Sequence, residues 1–302
     1  MLNRRNFIRH TSFAGVSLLA ASNVFAHYKG ARPLVGMQLY CVRDEMKKDP
    51  SGTLKALSAM GYRHVEHANY VTGKFYGYTP AEFKKLLSDL GMTMPSGHTV
   101  LAPRHYDAAT KVFTDEWKKT IEDAAFMGQK FVISPSMDGK VRKSYDDLMR
   151  ILEMFNKSGE LCKPYGMHFG YHNHDFEFSE KHGERTLYEI ILAETDPTLV
   201  MQQLDTGNLF NGGANALEVI KQYPGRFTSL HIKDAIPLPE NPSRYESTVL
   251  GKGVSGIKKI LKLVSKQKQV PHLIIEQEAY QGKAPMDCMK ENLDVMKKWG
   301  YV

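Results

Sequence analysis

Short apolar runs alternate with amphipathic helical stretches eight times along this chain, and this alternation limits the possible folds more than any other feature. The apolar runs cover residues 35–40, 64–68, 92–99, 131–136, 168–178, 200–208, 227–234 and 272–278. Eight strands that alternate with eight helices over about 270 residues predict an α/β fold, a single (β/α)8 TIM barrel. A doubly wound open sheet is the alternative, but no glycine-rich fingerprint follows the first strand.

The helical stretches begin and end at recognisable capping residues. In "TPAEFKKLLSDLG", Thr79 is the expected N-cap and Pro80 the first helical residue. Glu82 is the expected partner in a capping box, and Gly91 ends the helix. Each stretch carries Leu, Ile, Met or Phe at three- and four-residue spacing, which gives it one apolar face for packing against a sheet.

The first 26 residues read as an export signal and not as part of the fold. Arg4 and Arg5 precede the short apolar stretch "FAGVSLLAAS", and "VFA" supplies small-residue spacing for cleavage after Ala26. The arginine pair predicts a twin-arginine-like signal peptide over 1–26, with an ordinary secretory signal as the alternative. The apolar stretch is too short for a membrane span. We therefore expect an exported, periplasmic protein with no stable membrane insertion, whose barrel covers 27–302.

Composition argues against a nucleic-acid partner. The chain has 40 Lys and Arg against 33 Asp and Glu, which gives a net charge of +7. Three of the positive residues, Arg4, Arg5 and Arg9, lie in the predicted signal, so the mature chain has a net charge of +4. Its charges are scattered along the helices as on a solvated surface, and we expect no nucleic-acid partner. The three cysteines have no C-x-x-C spacing and predict no disulfide framework.

Polar side chains concentrate near the C-terminal ends of the predicted strands, where the βα loops of such a barrel form the functional site. These groups are Glu66, His67, His98, His172, His174, Glu177, Asp205, Asn208, His231, Lys233, Asp234, Glu276 and Glu278. Singly, each has a simpler explanation, because a strand histidine can be a hydrogen-bonded core residue and Asp205 can cap the following turn. Together, an Asp, a Glu and two or more His from adjacent strands predict a site for a divalent ion such as Mn²⁺, Zn²⁺ or Co²⁺.

Several of these runs resemble the xylose-isomerase-like TIM barrels, a superfamily of sugar (phosphate) isomerases and epimerases. The runs are "VGMQLYCVRDE", "GYRHVEHANY", "GYHNHDFEF", "QLDTGNL", "LHIKD" and "IIEQE", and their order and spacing follow that family along nearly all of the mature chain. The resemblance implies a metal site with a carboxylate from the fifth strand, Asp from the sixth, His from the seventh and Glu from the eighth. The last three match Asp205, His231 and Glu276 here, with Glu278 as the reserve choice.

The fifth strand departs from the family pattern. Many relatives have Glu-Asn-His where this chain has His172-Asn173-His174, so His172 stands in the place of the carboxylate. Because Gly170, His172 and His174 alternate along one predicted strand, we expect them to share the face that looks into the barrel. We therefore predict His172 as the fourth metal ligand and His174 as a catalytic group. Glu177, on the opposite parity, is expected to be a supporting or loop residue.

The resemblance implies a metal-dependent sugar isomerase or epimerase that works through an enediolate on a sugar or keto-sugar. The expected catalytic residues are Glu276, His174 and Lys233, and the expected substrate contacts are Glu66, His98 and Asn208. Epimerases of the family use two facing glutamates, of which only Glu276 remains here. Isomerisation, or elimination of a group β to the carbonyl, is therefore a better match than symmetric epimerisation.

Three alternatives stay open. A lyase or hydrolase that cleaves 3-keto-glycosides by α-proton removal and elimination shares this chemistry, and it suits an exported protein because phosphorylated sugars are normally cytoplasmic. A metal-dependent hydrolase related to endonuclease IV would need more metal ligands and a nucleic-acid surface. A non-catalytic sugar-binding barrel would keep the fold without the reaction. Both the predicted isomerase or epimerase and the sugar-binding alternative would bind a small-molecule carbohydrate.

Overall fold

Eight parallel strands close into a barrel, with each strand next to its neighbour in the chain. The computed structural model describes residues 33–267, 270 and 272–302, and the predicted export signal lies outside them. The strands are β1 Leu34–Gln38, β2 His64–His67, β3 Thr93–His98, β4 Phe131–Ser134, β5 His168–His172, β6 Val200–Asp205, β7 Phe227–Ile232 and β8 His272–Ile275. Leu34 pairs with His272, which joins β1 to β8 and completes the ring. The predicted TIM barrel is confirmed, and closure of the sheet excludes the doubly wound alternative.

A main helix follows each strand and covers the outside of the barrel. These helices are α1 Pro50–Met60, α2 Pro80–Asp89, α3 Asp115–Met127, α4 Tyr145–Cys162, α5 Leu187–Glu194, α6 Ala216–Gln222, α7 Ile257–Gln267 and α8 Pro285–Lys298. The predicted capping box begins α2, where Thr79 and Glu82 each accept a hydrogen bond from the other's backbone N–H. Thr186 and Glu189 form the same motif at α5, which was not predicted. Among the described residues, no helix is both long and apolar enough to cross a bilayer.

Short additional elements build up the end of the barrel at which the strands terminate. Antiparallel hairpins follow β2, β3, β5 and β7, and they pair Tyr70–Val71 with Lys74–Phe75, Tyr106–Asp107 with Val112–Phe113, Lys181–His182 with Arg185–Thr186, and Asp234–Leu238 with Asn241–Thr248. Short helical segments in the same set of loops cover Leu39–Val42, Arg43–Lys48, Pro103–His105, Gly139–Lys143, Phe176–Ser179 and Thr206–Asn211. These βα loops surround the mouth of the barrel.

Most of the apolar core lies between the barrel and the helix layer. Leu204, Leu230 and Leu273, from β6, β7 and β8, belong to one buried cluster with side chains of the helices outside them. Across the barrel, Trp117 of α3 packs edge-on against Phe169 of β5 with ring centroids 6.3 Å apart. Burying a side chain of this size stabilises the fold by roughly 1.5–3 kcal/mol. The strands are therefore held at fixed positions from outside, which leaves their inward side chains available for a site.

The barrel interior holds an apolar cluster below the polar side chains of its mouth. Phe131, Ile133 and Met201 form a separate buried cluster inside the ring. Gly170 leaves room for this cluster, since a Cβ on Gly170 would lie 2.5 Å from Met201 Sδ. Toward the C-terminal ends of the same strands the buried side chains become polar, beginning with His172. A glycine in β5 thus lets the apolar plug fit directly beneath the polar residues.

The prediction extended the fifth strand too far. β5 ends at His172, and Phe176–Ser179 forms one helical turn. The parity argument that put His172 and His174 on one strand face was therefore wrong, because His174 lies beyond the strand. Glu177 is fully buried on that helical turn. The run stays apolar after the strand ends because Phe178 packs its ring against the core around the helices.

Candidate metal and active site

Four side chains from neighbouring strands meet at the C-terminal mouth of the barrel. His172 ends β5, Asp205 ends β6, His231 lies next to the end of β7 and Glu276 directly follows β8. One potential ligand atom from each lies within 4.8 Å of the others, and all four residues are buried. The strand register brings them level, because Asp205 pairs with His231 across β6 and β7. The structure thus brings together the four residues predicted as metal ligands.

The Asp205 carboxylate divides its two oxygens between the fold and the site. Oδ1 accepts hydrogen bonds from the N–H of Gly207 at 2.9 Å and of Asn208 at 2.7 Å, and so caps the helical segment Thr206–Asn211. Oδ2 is buried and accepts no hydrogen bond within the described part of the chain. Asp205 therefore does cap the following turn, but only through Oδ1, while Oδ2 faces the cluster.

The donor atoms of this cluster fit a borderline divalent ion. Two imidazole nitrogens and two carboxylate oxygens suit Mn²⁺, Zn²⁺ or Co²⁺. The Oδ2 atom of Asp205 is buried and accepts no hydrogen bond among the described residues, although the Lys233 ammonium lies 3.2 Å away, so this oxygen stays available as a ligand atom. His172, Asp205, His231 and Glu276 would hold the ion, and imidazole at 172 leaves the set with one negative charge fewer than a carboxylate would.

Lys233 directs its ammonium group at the carboxylates of the cluster. Its Nζ lies 3.2 Å from Asp205 Oδ2 and 3.0 Å from Glu276 Oε2. It also lies 2.5 Å from Glu278 Oε1 and donates to Asn208 Oδ1 at 3.1 Å. Burial alone would lower the pKa of Lys233, but these carboxylates raise it well above its usual value. Lys233 is therefore a fixed positive charge, and Asn208 is placed to hold this lysine.

Glu66 lies beneath the cluster and has no solvent exposure. Its carboxylate accepts hydrogen bonds from Gln38 Nε2 at 2.8 Å and from Ser96 Oγ at 2.5 Å. It also accepts one from Gln203 Nε2 at 2.9 Å and contacts His231 Nε2 at 2.6 Å. Burial would raise the pKa of Glu66, but two neighbouring histidines hold it well below its usual range. Glu66 was predicted to contact substrate, whereas its buried position fits a residue that orients His231.

His231 is held between two carboxylates. Its Nε2 lies 2.6 Å from Glu66 Oε1, and its Nδ1 lies 2.9 Å from Glu276 Oε2. Burial opposes protonation of this ring, yet the two carboxylates raise the pKa of His231 to about 10. Because Nδ1 faces the ligand cluster, Glu66 is the partner that fixes the ring from its other side, as carboxylates do for metal-ligating histidines.

Gln203 fixes two further histidines of the site. Its Oε1 lies 3.2 Å from His172 Nδ1 and 2.7 Å from His98 Nε2. With His172 Nδ1 donating to Gln203, the Nε2 atom keeps the lone pair that a metal needs. Burial, together with His231 and His98, lowers the pKa of His172 well below its usual value, so this ring is neutral. Gln203 was not predicted, although its position two residues before Asp205 on the same strand face is a signal that could have identified it.

His174 lines the cavity beside the cluster. Its backbone N–H donates to Glu177 Oε2 at 2.8 Å, and its ring stacks on Phe176 with centroids 5.9 Å apart. Burial and the positive charge of Lys233 lower the pKa of His174, so the ring is neutral and can accept a proton. Its Nδ1 atom has no hydrogen-bond partner among the residues described. A loop, and not the strand face, brings the predicted catalytic histidine to the site.

Glu177 anchors the loop that carries His174. Its Oε1 accepts a hydrogen bond from the Tyr171 hydroxyl at 2.5 Å, while Oε2 holds the His174 backbone. Burial raises the pKa of Glu177 to about 8. This carboxyl is therefore protonated at neutral pH and ties the loop after β5 to the strand itself.

A cavity of about 820 Å³ opens above the cluster. We call the part of this single cavity that is lined by His98, His172, His174, Glu276 and Glu278 the inner compartment. We call the remainder the outer compartment; it is lined by residues of the loops after β1 to β4 and of α3, among them Tyr40, Tyr70, Val71, Val100, Arg104 and Pro135. Of the three predicted substrate contacts, His98 lines the cavity, whereas Glu66 and Asn208 are not among its described lining residues.

Comparison with known proteins connects the chain to sugar-converting barrels. A sequence model described as xylose isomerase-like TIM barrel matches residues 54–299. A protein named inosose dehydratase from Clostridium botulinum (strain Alaska E43 / Type E3) is 29% identical over 159 residues, which cover 48% of this chain and 52% of that protein. The chain spans about half the length of the first curated relatives that it matches.

Two solved structures show how far the likeness in fold extends. A sugar phosphate isomerase/epimerase from Parabacteroides distasonis ATCC 8503 is 26% identical, with a TM-score of 0.73. The match covers 91% of this chain and 96% of that protein. D-allulose 3-epimerase from Methylomonas sp., solved in complex with D-allulose, is 13% identical, with a TM-score of 0.64. The match covers 88% of this chain and 97% of that protein. The second likeness shows the fold alone.

Proposed function

Because the chain belongs to the xylose isomerase-like TIM barrel family, we propose that it is a metal-dependent sugar isomerase or epimerase that works through an enediolate. The observation that carries this proposal is the meeting of His172, Asp205, His231 and Glu276 beside the neutral His174 at the barrel mouth. The likeness to a sugar phosphate isomerase/epimerase over 91% of the chain supports it. The substrate would be a sugar or keto-sugar.

A divalent ion in the cluster would supply Lewis acidity, which stabilises negative charge on a carbonyl or hydroxyl oxygen of the sugar. The protein's part is to hold the four ligands in place. Glu66 fixes the ring of His231, and Gln203 fixes the ring of His172, each through the nitrogen that faces away from the cluster.

The proton transfers fall to residues that surround the inner compartment. We assign His174 as the base that removes the proton α to the carbonyl, because its imidazole is neutral. Glu276 is an ionised carboxylate and is assigned to the metal cluster, since burial would raise its pKa but Lys233 and His231 hold it well below the usual range. Lys233, predicted as catalytic, is not among the described residues that line the cavity; it keeps its proton and would balance the charge of Asp205 and Glu276. In an isomerisation, the proton that His174 takes from one carbon returns to the neighbouring carbon, and the hydroxyl proton on the first carbon passes to the former carbonyl oxygen.

A lyase is the second candidate, and two observations favour it. His172 occupies the position of one of the two facing carboxylates that symmetric epimerisation uses. The curated relatives that match about half of the chain are named inosose dehydratase, and a dehydratase eliminates water. In such an elimination the C–H bond α to the carbonyl breaks, a carbon–carbon double bond forms, and the group on the β carbon leaves and takes up a proton. A 3-keto-glycoside would lose its aglycone in this way.

Proton NMR in D₂O tests this chemistry. The metal-loaded protein is incubated with a panel of ketoses and 3-keto-glycosides, and we expect deuterium at the carbon α to the carbonyl. His231→Ala should abolish the exchange, whereas His168→Gln, at the opposite end of β5, should retain it. An unchanged carbon skeleton identifies an isomerase or epimerase, and aglycone release identifies a lyase. No exchange with any substrate, despite confirmed metal loading, would reject both and leave a non-catalytic sugar-binding barrel.

We also propose that residues 1–26 direct export to the periplasm, which suits an unphosphorylated sugar. The support is the Arg4-Arg5 pair, the short apolar stretch after it and the small residues before His27. N-terminal sequencing of the protein from a periplasmic fraction should then begin at His27. Substitution of both arginines by lysine should retain the protein in the cytoplasm if the signal is of the twin-arginine type. Full-length protein in the cytoplasmic fraction of the unaltered strain would contradict the proposal.

A further inference from the structure

The outer compartment of the cavity is lined by residues to which the proposed chemistry assigns no role. The cavity volume of about 820 Å³ is in the upper part of the range of roughly 300–1,000 Å³ that ligand pockets cover, and it exceeds what one six-carbon sugar fills. The four proposed metal ligands come from β5 to β8 and their ends, so a sugar bound beside them occupies that half of the mouth. The loops after β1 to β4 enclose the space that remains.

The wall of the outer compartment presents apolar side chains to solvent. Tyr40, Val71 and Val100 are 43%, 58% and 45% exposed, and all three line this cavity. Pro135 adds a further apolar surface to the same wall. Single exposed apolar residues are ordinary, but several that converge on one concave surface next to a reaction centre indicate a binding surface.

The two charged groups that α3 contributes to this wall are paired. Glu116 lies 3.6 Å from His105 Nε2, and Lys119 forms an ion pair with Asp123. Arg104, at the exposed rim, has no ion pair among the described residues. Asn69, Thr72 and Thr99 add short polar groups to this wall, and the large side chains that it exposes are apolar apart from one guanidinium at the edge.

The aromatic side chains of the compartment are held in place before any ligand arrives. The Tyr70 hydroxyl donates to Asp123 Oδ2 at 2.6 Å, and its ring packs on Phe75 with centroids 4.7 Å apart. The guanidinium of Arg43 lies 4.8 Å from the centroid of the Tyr40 ring. A wall that is fixed in advance binds a ligand without the entropy cost of ordering its own side chains.

We propose that the outer compartment binds an apolar aglycone, an aryl or alkyl group linked to the sugar that occupies the inner compartment. The substrate would then be a glycoside or a keto-glycoside and not a free monosaccharide. Val71 and Val100 would determine specificity for this group. The inference rests on the proposed function only in placing a sugar beside His174 and the metal ligands.

Calorimetry with matched glycosides tests the inference. Methyl and phenyl glycosides of several hexoses and of xylose, none of them ketones, are titrated into the metal-loaded protein. Burying the phenyl ring should lower the Kd about tenfold or more relative to the methyl glycoside of at least one sugar. Val71→Asp and Val100→Asp should each remove that preference. The control Val112→Asp, at a position 48% exposed that does not line the cavity among the described residues, should keep it.

The outcomes separate the inference from the proposed function. No phenyl-over-methyl preference for any sugar, including no binding at all, overturns the inference, while exchange of free ketoses in D₂O would still support the proposed function. A phenyl preference that survives both Val71→Asp and Val100→Asp also overturns it. Tighter binding of a carboxyphenyl glycoside, lost in Arg104→Ala, would assign the compartment to an anionic group and overturn the apolar assignment. A phenyl preference without exchange supports the inference and contradicts the enzyme.

Discussion

At the scale of single residues, the fully buried Glu66 is placed to control a proposed metal ligand. The Glu66 carboxylate contacts Nε2 of His231, whose Nδ1 faces the ligand cluster. We expect Glu66→Gln to lower the affinity for Mn²⁺ or Zn²⁺ by about 10–100-fold, because losing the charge weakens His231 as a ligand. Isothermal titration calorimetry measures this, with circular dichroism to confirm folding. Unchanged affinity in a folded Glu66→Gln protein would contradict the role, and the exposed Glu240→Gln is the matched control.

Glu177 makes stability depend on pH in the direction opposite to most carboxylates. Its pKa is raised from 4.5 to about 8 in the folded protein, so the folded state binds more protons than the unfolded chain between these values. The free energy of unfolding should therefore fall as pH rises through this window, by at most about 1.4 kcal/mol per pH unit from this group. Glu177→Gln should flatten the dependence, as measured by urea unfolding at pH 5.5 and 7.5.

The control for that experiment is Glu184→Gln, because Glu184 is exposed in the same loop region. The slope of the control should match that of the unaltered protein. If Glu177→Gln and Glu184→Gln give the same slope, the protonated Glu177 does not contribute as described.

The sequence identified the residues of the cluster but not the way in which they support one another. His172, Asp205, His231 and Glu276 could be predicted together because all lie near the ends of consecutive parallel strands, and strand ends meet at one face of a barrel. Strand parity could have put Gln203 on the same face as Asp205, but its contacts with His172, His98 and Glu66 depend on the register between strands. Register is set by how two strands pair, so the sequence of one strand alone does not determine it.

At the scale of elements, α4 approaches the barrel so closely that a glycine is required at the contact. A Cβ on Gly159 would lie 2.6 Å from the Leu199 carbonyl oxygen and 2.7 Å from Leu199 Cβ. Gly159→Ala should therefore lower the free energy of unfolding by about 1–3 kcal/mol, despite the better helix propensity of alanine. Urea unfolding measures the change.

Gly139 provides the comparison, because a Cβ there would meet its nearest atom at 3.7 Å. Gly139→Ala should change stability by no more than about 0.5 kcal/mol. Equal effects of the two substitutions would show that the approach of α4 to Leu199 is not tight in solution.

The eight strands and eight main helices were predictable because caps and periodicity mark each helix, and each strand is a short apolar run between two helices. Strand ends were less predictable. Apolar side chains continue into the loops where they cover the helix layer, as Phe178 does after β5. The hairpin Tyr70–Val71 with Lys74–Phe75 was not anticipated, because its strands are only two residues long and its turn depends on positive φ at Thr72 and Gly73.

At the scale of the whole molecule, metal binding and folding should be coupled, and the coupling should depend on pH. A metal at 100 times its Kd adds about 2.7 kcal/mol to the stability of the folded protein. His231 has its pKa raised to about 10 by two carboxylates, and burial raises the pKa of Asp205 to about 7. Both groups must lose protons to bind a metal, so the affinity should increase as pH rises from 6 to 8.

The measurement is the difference in Tm with Mn²⁺ and with EDTA, taken at pH 6 and at pH 8. The difference should be larger at pH 8, and His231→Ala should abolish it at both values. A metal-induced shift in Tm that is the same at both pH values would mean that no proton is displaced from the cluster.

The division of the barrel mouth has a consequence for how this protein can change over time. All four proposed metal ligands lie between residues 172 and 276, whereas the exposed apolar wall of the outer compartment comes from residues 40 to 135. On the proposed assignments, the metal ligands and the specificity for the aglycone are encoded in two successive segments, although Glu66 and His98 of the earlier segment also support the site. Mutations or recombination in the earlier segment can alter the range of molecules accepted while the later one is inherited intact. Directed evolution of this barrel should accordingly randomise the loops after β1 to β4 first.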